Sequence, residues 1–326
     1  MHAFQNPLTI LGNYIIIKIG INKNMIVRIR GTSTKFIVSG YDIQNAIELA
    51  YALYSCKNSY TIEGSKLIIN IGELSACFNI FELLKCRNYI KLWALGSLKK
   101  IGAIVNFLGP ETLFISLDGY NWVTRKNVPW DILCGPLLPY IHEPYVYHNW
   151  FTKYIRNIHT FIDVGSYIGG YSIRASKMGV KNVIAIEPDQ ENFNILLKNI
   201  ELNKCKVGIQ VFNIAAGEKE QFINLYSPEK DNLGMINVIG KGVRKGCIKC
   251  YPLDKILKVE GPIMVKIDVE GYEEAVLKGM AKILPKVNIL FMEIQGNPSS
   301  FNRFLAKKGF RLVDYHFKNY LFIRSA

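Results

Sequence analysis

Five acidic residues stand at the ends of apolar runs, and their spacing carries the chemical interest of this sequence. Asp163 closes Thr160-Phe-Ile-Asp163-Val and leads into Gly165-Ser166-Tyr167-Ile168-Gly169-Gly170. Glu187, followed by Pro188, closes Asn182-Val-Ile-Ala-Ile. Asp268 and Glu270 end Val265-Lys266-Ile-Asp268-Val-Glu270-Gly271, and Glu293 ends Asn288-Ile-Leu-Phe-Met. A carboxylate in the position of Glu187 can accept both hydroxyls of a ribose. One beside a glycine turn, as Asp163 is, suits a cationic group. Glu270 and Glu293 can take the proton of a substrate hydroxyl or hold that hydroxyl in line for transfer. Their alternative role is capping helices and binding water at a rim. Asn213-Ile-Ala215-Ala216-Gly217 ends a third run, and its small residues leave room for a flat ring.

The turn itself discriminates between cofactors. A dinucleotide fingerprint needs glycine at positions that here hold Gly165, Tyr167 and Gly170, and Tyr167 falls where backbone must approach a pyrophosphate. NAD is therefore disfavoured. S-adenosylmethionine has no phosphates and carries a sulfonium and an amino group, so Asp163 favours it. Two acids at one mouth also invite a divalent metal, but no His lies near Glu270 or Glu293, and no metal is expected. His142 is a further, weaker candidate for proton transfer, lying next to Glu143.

Residues 151–326 supply the elements that must hold these groups. Strands are expected at 160–164, 182–186, 208–213, 263–268 and 287–293, with helices at 150–157, 170–178, 190–202, 272–278 and 299–307. Strands at 311–315 and 320–323 close the run, and 214–262 reads as an irregular insertion. Alternation at this spacing points to right-handed βαβ units and an open, mostly parallel sheet with helices on both faces. The last two strands are close enough to be a hairpin, making the final one antiparallel at or near the edge. Strand alternation would also put Lys266, Asp268 and Glu270 on one side. In such sheets ligands bind beyond the carboxyl ends of the strands, where all five acids fall.

The preceding residues have a different texture. Residues 1–110 read as a smaller α+β module, with strands at 14–19, 25–29 and 36–39 and an amphipathic helix from Asp42 through Leu53. A hairpin over 60–71, turning at Gly64-Ser65, and a helix from Glu73 to Cys86 follow. Residues 111–150 hold four prolines and follow a fifth, Pro110; with aromatics from Tyr120 to Trp150 they read as an ordered connector lining an acceptor pocket.

The formal net charge of +14 is spread over both parts of the chain rather than gathered in a tail. It fits a solvated basic surface, or a polyanionic partner such as RNA, a charged glycan or a membrane surface. No stretch is apolar for long enough to span a bilayer; Leu92–Gly109 is interrupted by Lys99 and Lys100. The N-terminus carries no signal-peptide pattern. Seven cysteines, with one unaccompanied C-x-x-C at Cys247 and Cys250, read as reduced thiols of a cytoplasmic protein.

Residues 160–294 resemble the FkbM family of S-adenosylmethionine-dependent methyltransferases. The likeness is carried by 161–173 (FIDVGSYIGGYSI), 185–189 (AIEPD), 196–200 (LLKNI) with Leu202-Asn203, and 265–273 (VKIDVEGYE). The order and spacing of these motifs are more specific than any one of them. The resemblance implies a class I methyltransferase (Rossmann-like) fold with a seven-stranded sheet and, typically, O-methylation of a hydroxyl on a sugar, glycan or related small acceptor. It assigns Asp163, Gly165, Gly169 and Glu187 to the cofactor site, and Asp268 and Glu270 to the active-site end. Ser166-Tyr167 departs from the commoner Ala-Asn of the family. With the readings above, the expected cofactor set is Asp163, Gly165, Ser166, Tyr167, Gly169, Glu187, Pro188, Asn213, Ala215 and Asp268. The rival readings are an RNA methyltransferase, drawing on the basic surface and N-terminal module, and a non-catalytic binding module of the same fold. Residues 1–110 contain no recognisable RNA-binding motif.

Overall fold

The computed structural model describes residues 15–19, 24–29, 35–39, 60–63, 66–71, 74–79, 89–205, 207–227, 236–240 and 242–325. They form two compact units. One takes the described residues up to Gly119 with Thr124–Ile132; the other takes Tyr120–Val123 and the run from Leu133.

In the first unit the strands Ile15–Ile19, Asn24–Ile29 and Lys35–Ser39 pair antiparallel, as their β-branched runs suggest. Thr61–Glu63 pairs antiparallel with Lys66–Ile71 across the expected hairpin. The helix expected from Asp42 lies outside the described residues. The helix expected from Glu73 is corrected: Leu74–Asn79 is a strand paired with Lys66–Ile71. Leu74 and Phe78 are buried while Ser75 and Cys77 are exposed. That is a period of two, which the apolar content of the segment masks. The run at 92–109 divides into helix Tyr89–Lys100 and strand Ile104–Gly109. No helix among the described residues is long and apolar enough to cross a membrane.

In the second unit, β1 (Thr160–Val164), α1 (Gly170–Lys177), β2 (Asn182–Ile186), α2 (Gln190–Leu202) and β3 (Ile209–Phe212) alternate as expected. After an insertion come β4 (Ile263–Ile267), α3 (Glu273–Gly279), β5 (Val287–Glu293), α4 (Pro298–Lys307), β6 (Phe310–His316) and β7 (Asn319–Arg324). The seven strands run in the order 3-2-1-4-5-7-6. β1 to β5 are parallel, and β7 lies antiparallel between β5 and β6. This is the class I methyltransferase arrangement. β1 and β4 are buried along their whole length, so both faces of the sheet are covered. On one face Ile162, Val164, Val265 and Ile267 pack with Val276, Leu277, Phe301 and Leu305 of α3 and α4. On the other, Phe161 and Phe291 meet the rings of Phe151 and Tyr171.

Of two further local expectations, one is met and one corrected. The helix expected over 150–157 is present, as the end of a run of short consecutive helical elements: Leu138–His142, Pro144–Val146, Tyr147–Phe151, Thr152–Tyr154 and Ile155–Asn157. Pro139 and Pro144 each stand in the first turn of a helical element, where a missing N–H costs no hydrogen bond. The insertion is not irregular throughout. Val243–Tyr251 pairs parallel with Ala215–Ala216 and antiparallel with Gln221–Ser227. Cys247 is exposed and Cys250 buried on that strand, because residues three apart in an extended chain face opposite ways.

The asparagines of the 196–203 motif have a structural task. Asn199 is fully buried on α2; its Oδ1 accepts the Val123 N–H at 2.6 Å and its Nδ2 donates to the Ile168 carbonyl at 3.1 Å. Asn203 repeats the device with the Asn121 N–H and carbonyl, at 3.0 and 2.6 Å. Together they tie α2 to the Tyr120–Val123 edge and to the glycine turn. Asn199→Ala leaves a buried N–H and a buried carbonyl without partners. It should destabilise the protein by about 2–4 kcal/mol in urea unfolding, and an unchanged midpoint would refute this role.

Candidate active site

The glycine turn after β1 is shaped by a close approach. Gly165 has φ +82°, and a Cβ there would overlap the carbonyl oxygen of Asp268. Only glycine fits, so β1 and β4 end against each other. The Gly165 and Ser166 N–H groups both donate to the Ile186 carbonyl at 3.0 Å. Gly169, at φ +93°, caps α1, and a Cβ there would press on Leu196 Cδ1 at 2.7 Å.

Tyr167 sits in the left-handed region at φ +51°, and its N–H donates to Glu187 Oε2 at 2.8 Å. Glu187 Oε1 accepts from the Asp189 N–H at 3.0 Å and from Asn192 Nδ2 at 3.3 Å. The carboxylate of the second strand is thus oriented by the turn of the first. Burial pushes Glu187 up to about 7, although these hydrogen bonds favour the ionised form. Asn213 Nδ2 donates to the Glu187 and Pro188 carbonyls, at 2.9 and 3.2 Å, and so holds the strand end in place. Ala215 is buried in the small sheet, paired with Cys250.

An ionic row crosses the sheet beside the turn. Asp163 is 1% exposed; its Oδ2 accepts from Ser172 Oγ at 2.6 Å, while Oδ1 has no hydrogen-bond partner. Ser166 Oγ is likewise buried and unpartnered. Lys266, 6% exposed, donates to Asp268 Oδ2 at 3.0 Å and stands 3.9 Å from Asp163 Oδ1. Burial raises Asp163 and Lys266 opposes the rise, leaving it at about 6. For Lys266, burial alone would lower the pKa; Asp268, Asp163 and Glu143 outweigh it and hold the ammonium above its usual value.

Beyond the row lies the mouth. Strand alternation does not carry through to Glu270, because β4 stops at Ile267 and the chain turns. Glu270 has φ +51° and Gly271 φ +100°. A left-handed non-glycine residue costs about 1–2 kcal/mol, a strain typical of functional turns. The turn delivers Glu270 to the end of β5, where Gln295 Nε2 donates to Glu270 Oε2 at 3.0 Å and to Glu293 Oε1 at 2.8 Å. Lys318, at the tip of the β6–β7 hairpin, donates to Gln295 Oε1 at 2.9 Å. Burial, then the neighbouring Asp268 and Glu293, push Glu270 up to about 8. Burial, then Asp268 and Glu143, push Glu293 up to about 7.

Four residues of this mouth are missing from the sequence-based set: Glu143, Gln295, Lys318 and Asn319. Glu143 Oε2 accepts from the Tyr171 hydroxyl at 2.7 Å, and its Oε1 from Asn319 Nδ2 at 3.2 Å. Asn319 pairs with Glu293 across β5 and β7, so Glu143 comes to the same strand ends. It is Glu143, the neighbour of His142, that the connector brings to the acids. The aromatic density around 140–150 was the signal: Trp150 Nε1 and the Tyr145 hydroxyl both donate to Asp314 Oδ2, at 2.8 and 2.9 Å, and lock the segment down.

The raised carboxylates make stability depend on pH with a definite sign. A folded-state pKa above the unfolded value means stability is complete below about pH 4.5 and is lost as pH rises through 7 to 8. Glu270→Gln removes part of that loss. Thermal unfolding should show the variant gaining on the wild type between pH 5 and pH 8.5; a constant difference would contradict the buried-carboxylate account.

Comparison with known proteins agrees with this architecture. Residues 163–320 match the model of the methyltransferase FkbM domain. A hexuronic acid methyltransferase from Haloferax volcanii is 31% identical over 150 residues, which are 44% of this chain and 60% of the relative. The chain therefore spans less than two thirds of that relative's length. Among solved structures, a ribosomal protein L11 methylase from Lactobacillus delbrueckii aligns with TM-score 0.35 and 15% identity, covering 54% of this chain and 75% of that one. A precorrin-6y C5,15-methyltransferase from Geobacter metallireducens aligns with TM-score 0.33 and 11% identity, covering 52% and 80%. At these scores neither adds to what the strand order shows.

Proposed function

We propose that this protein is an S-adenosylmethionine-dependent methyltransferase that O-methylates a hydroxyl of a sugar or glycan. The observation that carries the reading is the juxtaposition of two sets of acids. Asp163 and Glu187 flank a glycine turn at adjacent strand ends, and Glu270 and Glu293 share one amide at the mouth beyond. The first set fits the cofactor. Asp163 Oδ1 and Ser166 Oγ are buried polar atoms with unused capacity, and Gly165 keeps the turn free of a side chain. Asp163 would hold the amino-acid end and Glu187 the ribose hydroxyls, with Tyr167, Gly169, Pro188, Asn213, Ala215 and Asp268 completing the surroundings. The name of the Haloferax volcanii relative supports a sugar acceptor. So do the exposed rings of Tyr140 and Phe317, flat apolar faces of the kind that pack on sugars.

When bound, S-adenosylmethionine supplies an electrophilic methyl group. The chain's own task is to hold the acceptor hydroxyl in line and to receive its proton as the new C–O bond forms. Glu270 is the better base, since its backbone strain and the Gln295 bond fix it at the mouth. Glu293, raised to about 7, shares the charge of the pair. Glu270 accepts the proton in its ionised form, so transfer should rise with pH as Glu270, pushed up to about 8, loses its own proton. We also propose 151–326 as the catalytic domain, with 111–150 contributing to the acceptor side and residues 1–110 as a separate module. The reading places the reaction in the cytoplasm, where thiols such as those of Cys205 and Cys250 stay reduced.

Two experiments test this. Glu187→Gln should weaken S-adenosylhomocysteine binding in calorimetry by about 1–3 kcal/mol, the scale of hydrogen bonds to a charged group; equal affinity, or tighter binding of NAD, would overturn the cofactor. Incubation with methyl-labelled S-adenosylmethionine and fractionated host extract should put label into glycan or glycolipid. Glu270→Gln should reduce that transfer about 100-fold or more while leaving S-adenosylhomocysteine affinity nearly unchanged. Label entering RNA instead would favour the nucleic-acid reading, and undiminished transfer by the variant would remove Glu270 as base.

A further inference from the structure

Lys266 is the cation of the buried row, and it makes no hydrogen bond to Asp163 Oδ1. Its ammonium donates to Asp268 Oδ2 at 3.0 Å, faces the Tyr171 ring at 5.4 Å, and stands 3.9 Å from Asp163 Oδ1 without a hydrogen bond to it. Asp163 Oδ1 is buried and has no hydrogen-bond partner at all. The oxygen best placed for a ligand is therefore balanced by a charge that leaves its hydrogen-bonding capacity unused. We propose that Lys266 is a positioning residue: it keeps Asp163 ionised at neutral pH, and through Asp163 it sets the affinity for the amino-acid end of the cofactor. This rests on the S-adenosylmethionine reading above.

The physical case is one of charge balance. Asp163 is enclosed by Lys266 and Asp268 from β4 and its end, and by Ser172 and Tyr171 from α1. The connector adds Glu143, which acts on Lys266 and bonds the Tyr171 hydroxyl. Lys266 is the cation of that set. A buried carboxylate without a counter-ion takes up a proton rather than remain charged. Even with Lys266 present, burial leaves Asp163 at about 6, close to the working range. Removing the ammonium would leave Asp163 and Asp268 facing each other, and each would favour protonation of the other. A protonated Asp163 has lost its attraction for an alkylammonium group.

S-adenosylhomocysteine tests the proposal without knowledge of the acceptor, since it keeps the amino-acid end and is inert. Its affinity is measured by calorimetry from pH 5.5 to 8 for wild type, Lys266→Met and Lys266→Arg. The wild-type to variant ratio cancels the titration of the ligand and of Glu187, which is common to all three. For Lys266→Met we expect binding weaker by about tenfold or more at pH 6.5, with the gap narrowing as pH rises and Asp163 ionises again. Lys266→Arg keeps the charge and should stay within about threefold of wild type. A purely structural role for Lys266 would give a ratio independent of pH, and that result overturns the proposal. Asp163→Asn provides an arm that leaves Lys266 intact, should the Met variant not fold. It should weaken binding and flatten its dependence below pH 7; binding equal to wild type would overturn the proposal on its own. Wild type that binds no S-adenosylhomocysteine at any pH would instead refute the cofactor reading, and the proposal with it. Binding by wild type with a pH-independent ratio would remove only the role given to Lys266.

Discussion

Two parallel strands that end in contact govern the rest of this site. Gly165 leaves no room for a side chain against the Asp268 carbonyl, and the Asp268 N–H donates to the Val164 carbonyl at 2.9 Å. With β1 and β4 locked at that point, Asp163 is directly opposite Lys266 in the sheet register. The charges of the site follow from this pairing. A buried acid beside a buried lysine is tolerable only because Asp268 and Glu143 complete the balance around the ammonium.

The glycine turn is held from its other side by side chains rather than by strands. Tyr167 gives its N–H to Glu187, and Asn199 binds the Ile168 carbonyl. The turn is preorganised by groups on β2 and α2, which lie close to it in space but 20 and 31 residues away in sequence. A ligand meeting such a turn does not have to order it, which preserves binding free energy.

The connector completes the mouth by docking on aromatic and carboxylate contacts. Arg174, 2% exposed on α1, donates to the Gly170 and Pro136 carbonyls and lies against the rings of Trp122, Tyr120 and Tyr147 at 4.9, 5.0 and 5.8 Å. A guanidinium so placed replaces its water with carbonyls and ring faces, and it pins the connector beside the helix that carries Tyr171. From there Glu143 reaches the strand ends, so the mouth is walled by a segment that precedes the sheet in the chain.

Much of this was legible in the amino-acid order because the signals are local. Parallel strands buried on both faces write themselves as apolar runs, and a polar residue that ends such a run marks the sheet's carboxyl edge. Asp163, Glu187, Asp268 and Glu293 could be read this way, as could the βαβ alternation. Where local signals conflict, reading fails: Leu74–Asn79 alternates with period two inside a segment apolar enough to pass for a helix. What only the tertiary structure decided is the pairing of groups remote in sequence. Glu143 meets Asn319 across 176 residues, Lys318 meets Gln295 across a hairpin, and Glu270 leaves the line of its strand through a left-handed turn. No spacing rule encodes these contacts. They arise because closing the sheet and docking the connector bring separate strand ends into one small volume, where burial and mutual charge then set each group's protonation.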